Sequence, residues 1–122
     1  MLNDLEIEMR LPLWLAFSEL FLDTENSEAD FKSIAETLGQ SGLRVESLRQ
    51  ILADEVAPAF YTNLMSVAGE WQPWNAAQVR TIVLSSLARG RRYPLGLWLR
   101  RHLSRPHARE IWQELCPFLN RP

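Results

Sequence analysis

Two groups of carboxylates come closest, by type and spacing, to a set that could do acid–base chemistry. Glu19 and Asp23 are four residues apart and share one face of a helix, while Asp54 and Glu55 lie near the end of another predicted helix. Paired carboxylates act as general acid and base when a cleft shifts their pKa values. Negative charge near a helix C-terminus is unfavourable, so an acid there needs a partner. The pattern therefore favours a half-buried ion pair, with an arginine of the C-terminal part, over an active site.

The remaining reactive residue types do not form a recognisable site. His102 and His107 are five residues apart with Pro106 between them, and no Cys, Asp or Glu stands near them at metal-ligand spacing. Cys116 is the single cysteine and precedes a proline, which favours a small buried thiol over a nucleophile. The five glycines are scattered, so no phosphate-binding loop is present. We expect no catalytic residue, metal or cofactor.

Charge is distributed unevenly along the chain. The net charge is −2, but residues 1–72 hold 13 acids and 4 bases and residues 73–122 hold 2 acids and 9 bases. Between Arg80 and Arg109 there are eight arginines and no acid. This asymmetry is explained either by attraction between the two halves of one molecule or by a surface that binds a partner.

Two sets of residues are candidates for a partner surface. Aromatic side chains and arginine dominate the energetics of protein interfaces, and Trp71 and Trp74 flank a proline where they either close one end of a bundle or anchor a partner. The acidic set is Asp23, Glu25, Glu28, Asp30, Asp54 and Glu55. The basic and aromatic set is Trp71, Trp74, Arg89, Arg91, Arg92, Arg100, Arg101 and Arg105.

Length and composition indicate one helical domain over residues 1–122. The chain is 47% apolar and 23% charged, and its longest apolar run, 11–17, is far short of the roughly 20 residues that span a bilayer. Three acids precede the first arginine, unlike the basic start of a secretory signal. With one cysteine and no internal disulfide, the expected compartment is the reducing cytoplasm.

Hydrophobic spacing predicts helices and no strands. A first helix covers 10–22, and a capping box of Ser27 with Asp30 opens the second. A third helix covers 45–56, and Pro58 is expected to end it and to start a fourth. The first half of the chain therefore predicts four helices.

The second half predicts two or three more. A fifth helix ends at Gly90, a sixth begins near Pro94, and a last one opens at Pro106. Trp14, Trp98 and Trp112 are expected in the core. The sixth helix is predicted to bury Leu95, Trp98, Leu99 and Leu103 and to turn Arg100, Arg101 and Arg105 toward water. The fold class is all-α, with six or seven short helices.

Three segments carry a resemblance to a known family. They resemble a family of small uncharacterised bacterial proteins and are WLAFSELFLDTE at 14–25, ILADEVAPAFYTNL at 51–64 and AGEW at 68–71. That family has a Trp-x-x-x-Ser-x-x-Phe-Leu-Asp-Thr core, a Glu-Val-Ala-Pro step and a Gly-x-Trp turn, so the likeness covers residues 10–75. It implies an immunity-type protein encoded beside secreted bacterial toxins, and it assigns no catalytic residue.

These observations predict a non-catalytic protein that binds a protein partner, with a secreted toxin as the partner that the resemblance implies. A toxin with a basic site would contact the acidic set. A homodimer that joins acidic and basic surfaces is also compatible. The alternatives are a nucleic-acid-binding module that uses arginines of 80–109 and a small enzyme built on Asp23, Glu55 and an arginine.

Overall fold

The computed structural model describes residues 2–22, 27–66 and 75–119, most of which are helical and none of which forms a strand. The predicted all-α class is confirmed. The helix count is lower than predicted, because α3, a π-helical segment and α4 follow one another without a break and the last two predicted helices are one. The helices are α1 (Asp4–Leu22), α2 (Glu28–Gln40), α3 (Val45–Ile51), the π segment (Leu52–Val56), α4 (Ala57–Ser66), α5 (Ala76–Arg92) and α6 (Pro94–Leu119).

Side-chain caps open α2 and α5. At α2 the Ser27 hydroxyl accepts from the backbone N–H of Asp30, whose carboxylate accepts from the backbone N–H of Ser27. Asn75 and Gln78 form the same reciprocal pair at α5. Each box satisfies backbone donors that have no intrahelical partner, so the predicted starts of both helices are confirmed.

Helix α1 begins six residues before its predicted start. The Asn3 side chain accepts from the backbone N–H of Glu6, and the Glu6 carboxylate accepts from the backbone N–H of Asn3. Pro12 therefore lies inside the helix rather than in its first turn. Its exposed position is where a released carbonyl can bond water, so the proline is tolerated there.

Pro58 lies inside a continuous helical run, so the predicted break there is wrong. A proline in an α-helix lacks the N–H that would bond the carbonyl four residues earlier, and its ring crowds that carbonyl. The chain widens just before Pro58 into the π segment, where the Ala57 N–H donates to Leu52 O. The Asp54 carbonyl, four residues before Pro58, accepts instead from Nε of Arg101, 3.2 Å away. A side chain of α6 thus replaces the donor that the proline lacks.

The hydrophobic core lies between α1 and the other helices. Trp14 and Phe17 of α1 are completely buried. Helix α6 packs against α2, α4, α5 and the π segment, and α1 packs against α2, α5 and the π segment. The core of the described residues also includes Leu38, Leu52, Val56, Phe60, Val79, Val83, Ile111, Trp112 and Leu115.

Candidate interaction surface

The same side of α6 faces the core along all 26 residues of the helix. Pro106, at which a new helix was predicted, is exposed and lies inside α6. The helix therefore continues through Pro106, and its two halves cannot rotate independently about the helix axis. Its buried residues follow helical spacing and are Ser104, Ala108, Ile111, Trp112 and Leu115, preceded by half-buried Leu97.

The first half of α6 consequently turns its most apolar side outward, and the predicted burial of this side is wrong. Leu95 is 83% exposed and Trp98 is 61% exposed. As a separate helix, this segment would bury the face that carries most of its apolar residues, which is what its spacing predicts. The residues that the second half of α6 buries determine which side of the first half faces the core. We name the exposed face the apolar stripe; it consists of Leu95, Trp98, Leu99, His102 and Leu103.

Aromatic rings occupy the middle of the apolar stripe. The rings of Trp98 and His102, one turn apart, stack with centroids 5.4 Å apart and an interplanar angle of 6°. Tyr93, which precedes the helix, is also exposed. Stacking holds the indole against the helix and lowers the entropy that it loses when a partner covers it.

A close helix crossing explains why α6 lies in this rotation. Gly90 of α5 is buried, and a Cβ there would stand 3.1 Å from both Cβ and Cγ of Leu97. One turn earlier on α5, the buried Ser86 hydroxyl accepts a hydrogen bond of 2.7 Å from Arg100, which also donates to the Ser86 carbonyl at 3.3 Å. Small residues on α5 thus admit Leu97 and Arg100, and the opposite side of α6 stays open. Gly90 is therefore a packing residue inside α5, not the predicted helix end.

Burial and neighbouring charge both act on Arg100. Desolvation lowers the pKa of its guanidinium, and the positive charges of Arg89 and Arg101 lower it further. The group stays in place because Ser86 supplies two acceptors for its N–H groups. Arg100 therefore stabilises the α5–α6 crossing instead of facing solvent as predicted.

The basic set predicted from sequence separates into two groups. Arg100 and Arg101 are half-buried and bond Ser86 and the Asp54 carbonyl, so they hold the fold. The exposed members, which flank the start of α6 or follow the apolar stripe, are Arg89, Arg91, Arg92 and Arg105. Trp71 and Trp74 lie outside the described residues.

The acidic set is not brought together as one surface in the described part of the chain. Glu28 and Asp30 are exposed at the start of α2, where Glu28 lies 3.7 Å from Lys32 and Asp30 completes the capping box. Asp54 is exposed on the π segment. Asp23 and Glu25 lie outside the described residues, so their part in this surface stays a prediction.

Glu55 makes the half-buried ion pair that the sequence predicts, but with a different arginine. Its carboxylate accepts from Arg10 at 2.5 Å and from the indole N–H of the buried Trp14 at 2.8 Å. The side chains of Arg10 and Glu55 are 29% and 16% exposed. The partner thus belongs to α1 in the acidic half of the sequence. Both Glu55 oxygens are used in joining the π segment to α1, and this arrangement gives the carboxylate a structural role.

The reactive side chains of the described residues are dispersed. Within 2–22, 27–66 and 75–119, no three His, Cys, Asp or Glu side chains lie close enough together to hold a metal ion. Among the helices described, none has both the length and the apolar character needed to cross a bilayer. Cys116 carries a free, half-buried thiol.

Comparison with known proteins places the chain in a family. Neither the curated proteins nor the solved structures include a significant match. A family model described as a domain of unknown function, DUF7079, matches residues 8–118. This match includes all of α2 to α5, most of α1 and all but the last residue of α6. The chain therefore belongs to the DUF7079 family.

Proposed function

We propose that this protein is a non-catalytic interaction protein that binds a protein partner through the apolar stripe of α6. The observation that supports the proposal is that the first half of α6 turns its apolar side toward solvent. The same helix half exposes Leu95, Trp98 and Leu99 while it half-buries Arg100 against Ser86. Exposed apolar side chains contribute little to folding, and a contiguous group of them is typical of a binding surface.

The residues around the apolar stripe indicate the chemistry of the partner. Arg91 and Arg92 are the last two residues of α5 and precede the apolar stripe, and Arg105 follows the stripe on α6. All three arginines are exposed. In the part of the chain that the structure describes, none of them forms an ion pair. A surface with an apolar centre and carboxylates at its rim complements this arrangement, since opposite charges accelerate association and select the partner.

The biological setting that fits is the one implied by the family resemblance. In that setting the protein acts in the bacterial cytoplasm as an immunity protein, and the partner is a toxin whose active site it blocks. Binding by α6 requires an apolar, acid-rimmed surface on the toxin. A toxin with a basic site would use the exposed acids Glu28, Asp30 and Asp54 instead.

Paired variants test this surface. Leu95→Glu places a charge in the stripe, whereas Met9→Glu makes the same kind of change at an exposed apolar position of α1, 59% exposed. The wild-type chain is used to purify its partner from the encoding organism. We expect Leu95→Glu to weaken the measured affinity at least about tenfold, because central apolar contacts dominate interfaces, and Met9→Glu to leave it unchanged.

Three results would change the conclusion. Equal affinity in both variants would remove the stripe from the interface. A dimer that Leu95→Glu dissociates in sedimentation equilibrium would make a second copy the partner. A toxin that remains inhibited by Leu95→Glu but not by Glu28→Gln with Asp54→Asn would place the contact on the acidic residues.

A nucleic-acid-binding module is a second candidate because of the exposed arginines at the end of α5. Arg89, Arg91 and Arg92 occupy its last turn, where they can reach phosphates. Such binding would weaken by orders of magnitude between low and moderate salt. Fluorescence anisotropy of labelled RNA and DNA at two salt concentrations measures this. Loss in Arg91→Gln with Arg92→Gln, but not in Leu95→Glu, would favour this candidate.

A further inference from the structure

A small pocket rimmed by arginines lies beside the apolar stripe. It has a volume of about 120 Å³ and lies between α3 with the π segment on one side and α6 on the other. We name it the arginine pocket. It is lined by Arg49, Leu52, Ala53, Arg105, Ala108, Arg109 and Trp112.

The three arginines leave positive charge at this pocket. Arg49, Arg105 and Arg109 are all exposed. Across the described residues none of them forms an ion pair or another hydrogen bond. Three cations around one concavity repel each other, and a bound anion relieves that repulsion. Arginine suits this task because its planar fork can donate two parallel hydrogen bonds to one oxyanion.

The lining and the size of the pocket restrict the ligand. Leu52, Ala53, Ala108 and the largely buried Trp112 form an apolar wall, which favours a ligand with an apolar stem. A volume of about 120 Å³ is well below the roughly 300–1,000 Å³ of pockets that enclose drug-sized molecules. The pocket therefore has room for one side chain or a small organic anion, but not for a whole nucleotide.

We infer that the arginine pocket binds a single carboxylate or phosphate group carried on an apolar or aromatic stem. Its position connects it to the proposed interface. Trp98, His102, Arg105 and Arg109 follow each other at helical spacing along α6, so the pocket continues the edge of the apolar stripe. A partner segment whose apolar residues cover the stripe can place an acidic or phosphorylated side chain in the pocket. That this ligand belongs to a protein rests on the proposed function, whereas oxyanion binding does not.

Titration of the full chain, followed by ¹H–¹⁵N NMR at constant ionic strength, tests the pocket with small probes. Benzoate and phenyl phosphate carry the two oxyanions on the same ring, inorganic phosphate lacks the stem, and benzyl alcohol lacks the charge. We expect saturable shifts of the Trp112 indole N–H and of the Ala53 and Ala108 amides with the two aromatic anions. Inorganic phosphate should bind more weakly, and benzyl alcohol should cause no such shifts. The tighter aromatic anion identifies the preferred oxyanion.

Matched variants make the result specific. Arginine binds an oxyanion through charge-assisted hydrogen bonds, which are stronger than neutral ones, so Arg105→Gln and, independently, Arg49→Gln should weaken the tighter probe about tenfold or more. Arg91→Gln, at an exposed arginine outside the pocket, should not weaken it. Equal weakening by Arg91→Gln, non-saturable shifts, or shifts spread over all arginine-bearing helices would overturn the inference.

One further variant separates this inference from the proposed function. Leu95→Glu lies outside the pocket lining, so it should lose the protein partner and retain the probe. If probe binding fails in the wild-type chain while Leu95→Glu still abolishes partner binding, the pocket is wrong and the apolar stripe stands. If the probe binds and Leu95→Glu leaves partner binding unchanged, the pocket stands and the stripe is wrong.

Discussion

Charged and aromatic residues have different environments at the π segment and on the outer side of α6. At the π segment, Glu55 accepts from both Arg10 and Trp14, and the indole is completely buried. On α6, the ring of Trp98 stacks on the ring of His102 and is 61% exposed, and Leu95 is 83% exposed. Tryptophan thus belongs to the core in one region and lies at the surface in the other. Substitutions should therefore affect stability in the first region and binding in the second.

The difference also revises what the uneven charge distribution means. The balance of −9 in residues 1–72 against +7 in the rest is compatible with attraction between the halves, and the predicted partner of Asp54 and Glu55 is an arginine of the basic half. The half-buried pair observed instead joins Glu55 to Arg10, both in the acidic half. The basic half contributes Arg101, which donates to a backbone carbonyl of the π segment. Among the described residues, most of the positive charge therefore stays at the surface.

The largest effect that tests this comparison is expected at Glu55. Glu55→Ala leaves the indole N–H of Trp14 buried without its acceptor and removes the counter-charge of Arg10. A buried donor without a partner costs about 1–3 kcal/mol, and the partly exposed ion pair adds about 0–1 kcal/mol. We expect the free energy of unfolding, measured by urea denaturation, to fall by about 1–4 kcal/mol. Glu55→Gln keeps an acceptor and should cost about half as much.

A change below about 0.5 kcal/mol in Glu55→Ala, the range of ordinary surface substitutions, would contradict the structural role. In that case the carboxylate would have to be reconsidered as a functional group. Trp14→Phe supplies an independent check, since it removes the donor and keeps most of the apolar volume. Combined with Glu55→Ala, it should cost less than the sum of the two single changes.

The second prediction compares two arginines of the basic set. Arg100→Gln removes the donors to the hydroxyl and carbonyl of Ser86 and should lower the free energy of unfolding by about 1–2 kcal/mol. Arg91→Gln, at an exposed position of α5, should change it by less than about 0.5 kcal/mol. Both are measured by urea denaturation. Equal effects would mean that the inward and outward arginines cannot be distinguished as the structure indicates.

A smaller effect is expected from the bond between Arg101 and the π segment. Arg101→Gln should cost about 1 kcal/mol by removing a donor to the Asp54 carbonyl. In a Pro58→Ala background the new backbone N–H can bond that carbonyl, so the same substitution should cost less. A double-mutant cycle by urea denaturation should give a coupling of about 0.5–1 kcal/mol. Additive costs would show that Arg101 does not replace the missing donor.

Local signals in the sequence predicted local features of the fold well. The Ser27 and Asn75 caps, the helical class and the burial of Trp14 and Trp112 are all present. Each of these depends on residues within a few positions of one another or on strong periodicity.

The two main errors both concern a proline at which the sequence predicts a boundary between two helices, although the helix continues through it. At Pro58 the π segment and the distant Arg101 compensate for the lost hydrogen bond. At Pro106 the ring is exposed and α6 continues. Continuity of α6 fixed the rotation of its first half and exposed Trp98, which neither composition nor local periodicity could indicate. The arginine pocket was missed because Arg49 meets Arg105 and Arg109 only through tertiary packing.

The smallest predicted effect concerns Glu19, whose carboxyl has a pKa that depends on its surroundings in the folded chain. Partial desolvation of the exposed side chain raises the pKa of its carboxyl, and the negative charge of Asp30 raises it further. A folded-state pKa above the unfolded value means that the ionised form destabilises the fold. This penalty is complete above the raised pKa and disappears as the pH falls below the ordinary value.

Glu19→Gln should therefore be more stable than wild type at pH 7, and this difference should shrink as the pH falls through that window. Thermal unfolding between pH 4 and pH 8 measures this difference, with Glu36→Gln on an exposed site of α2 as control. A difference that stays constant with pH would show that the substitution acts through packing or helix propensity and not through the charge of Glu19.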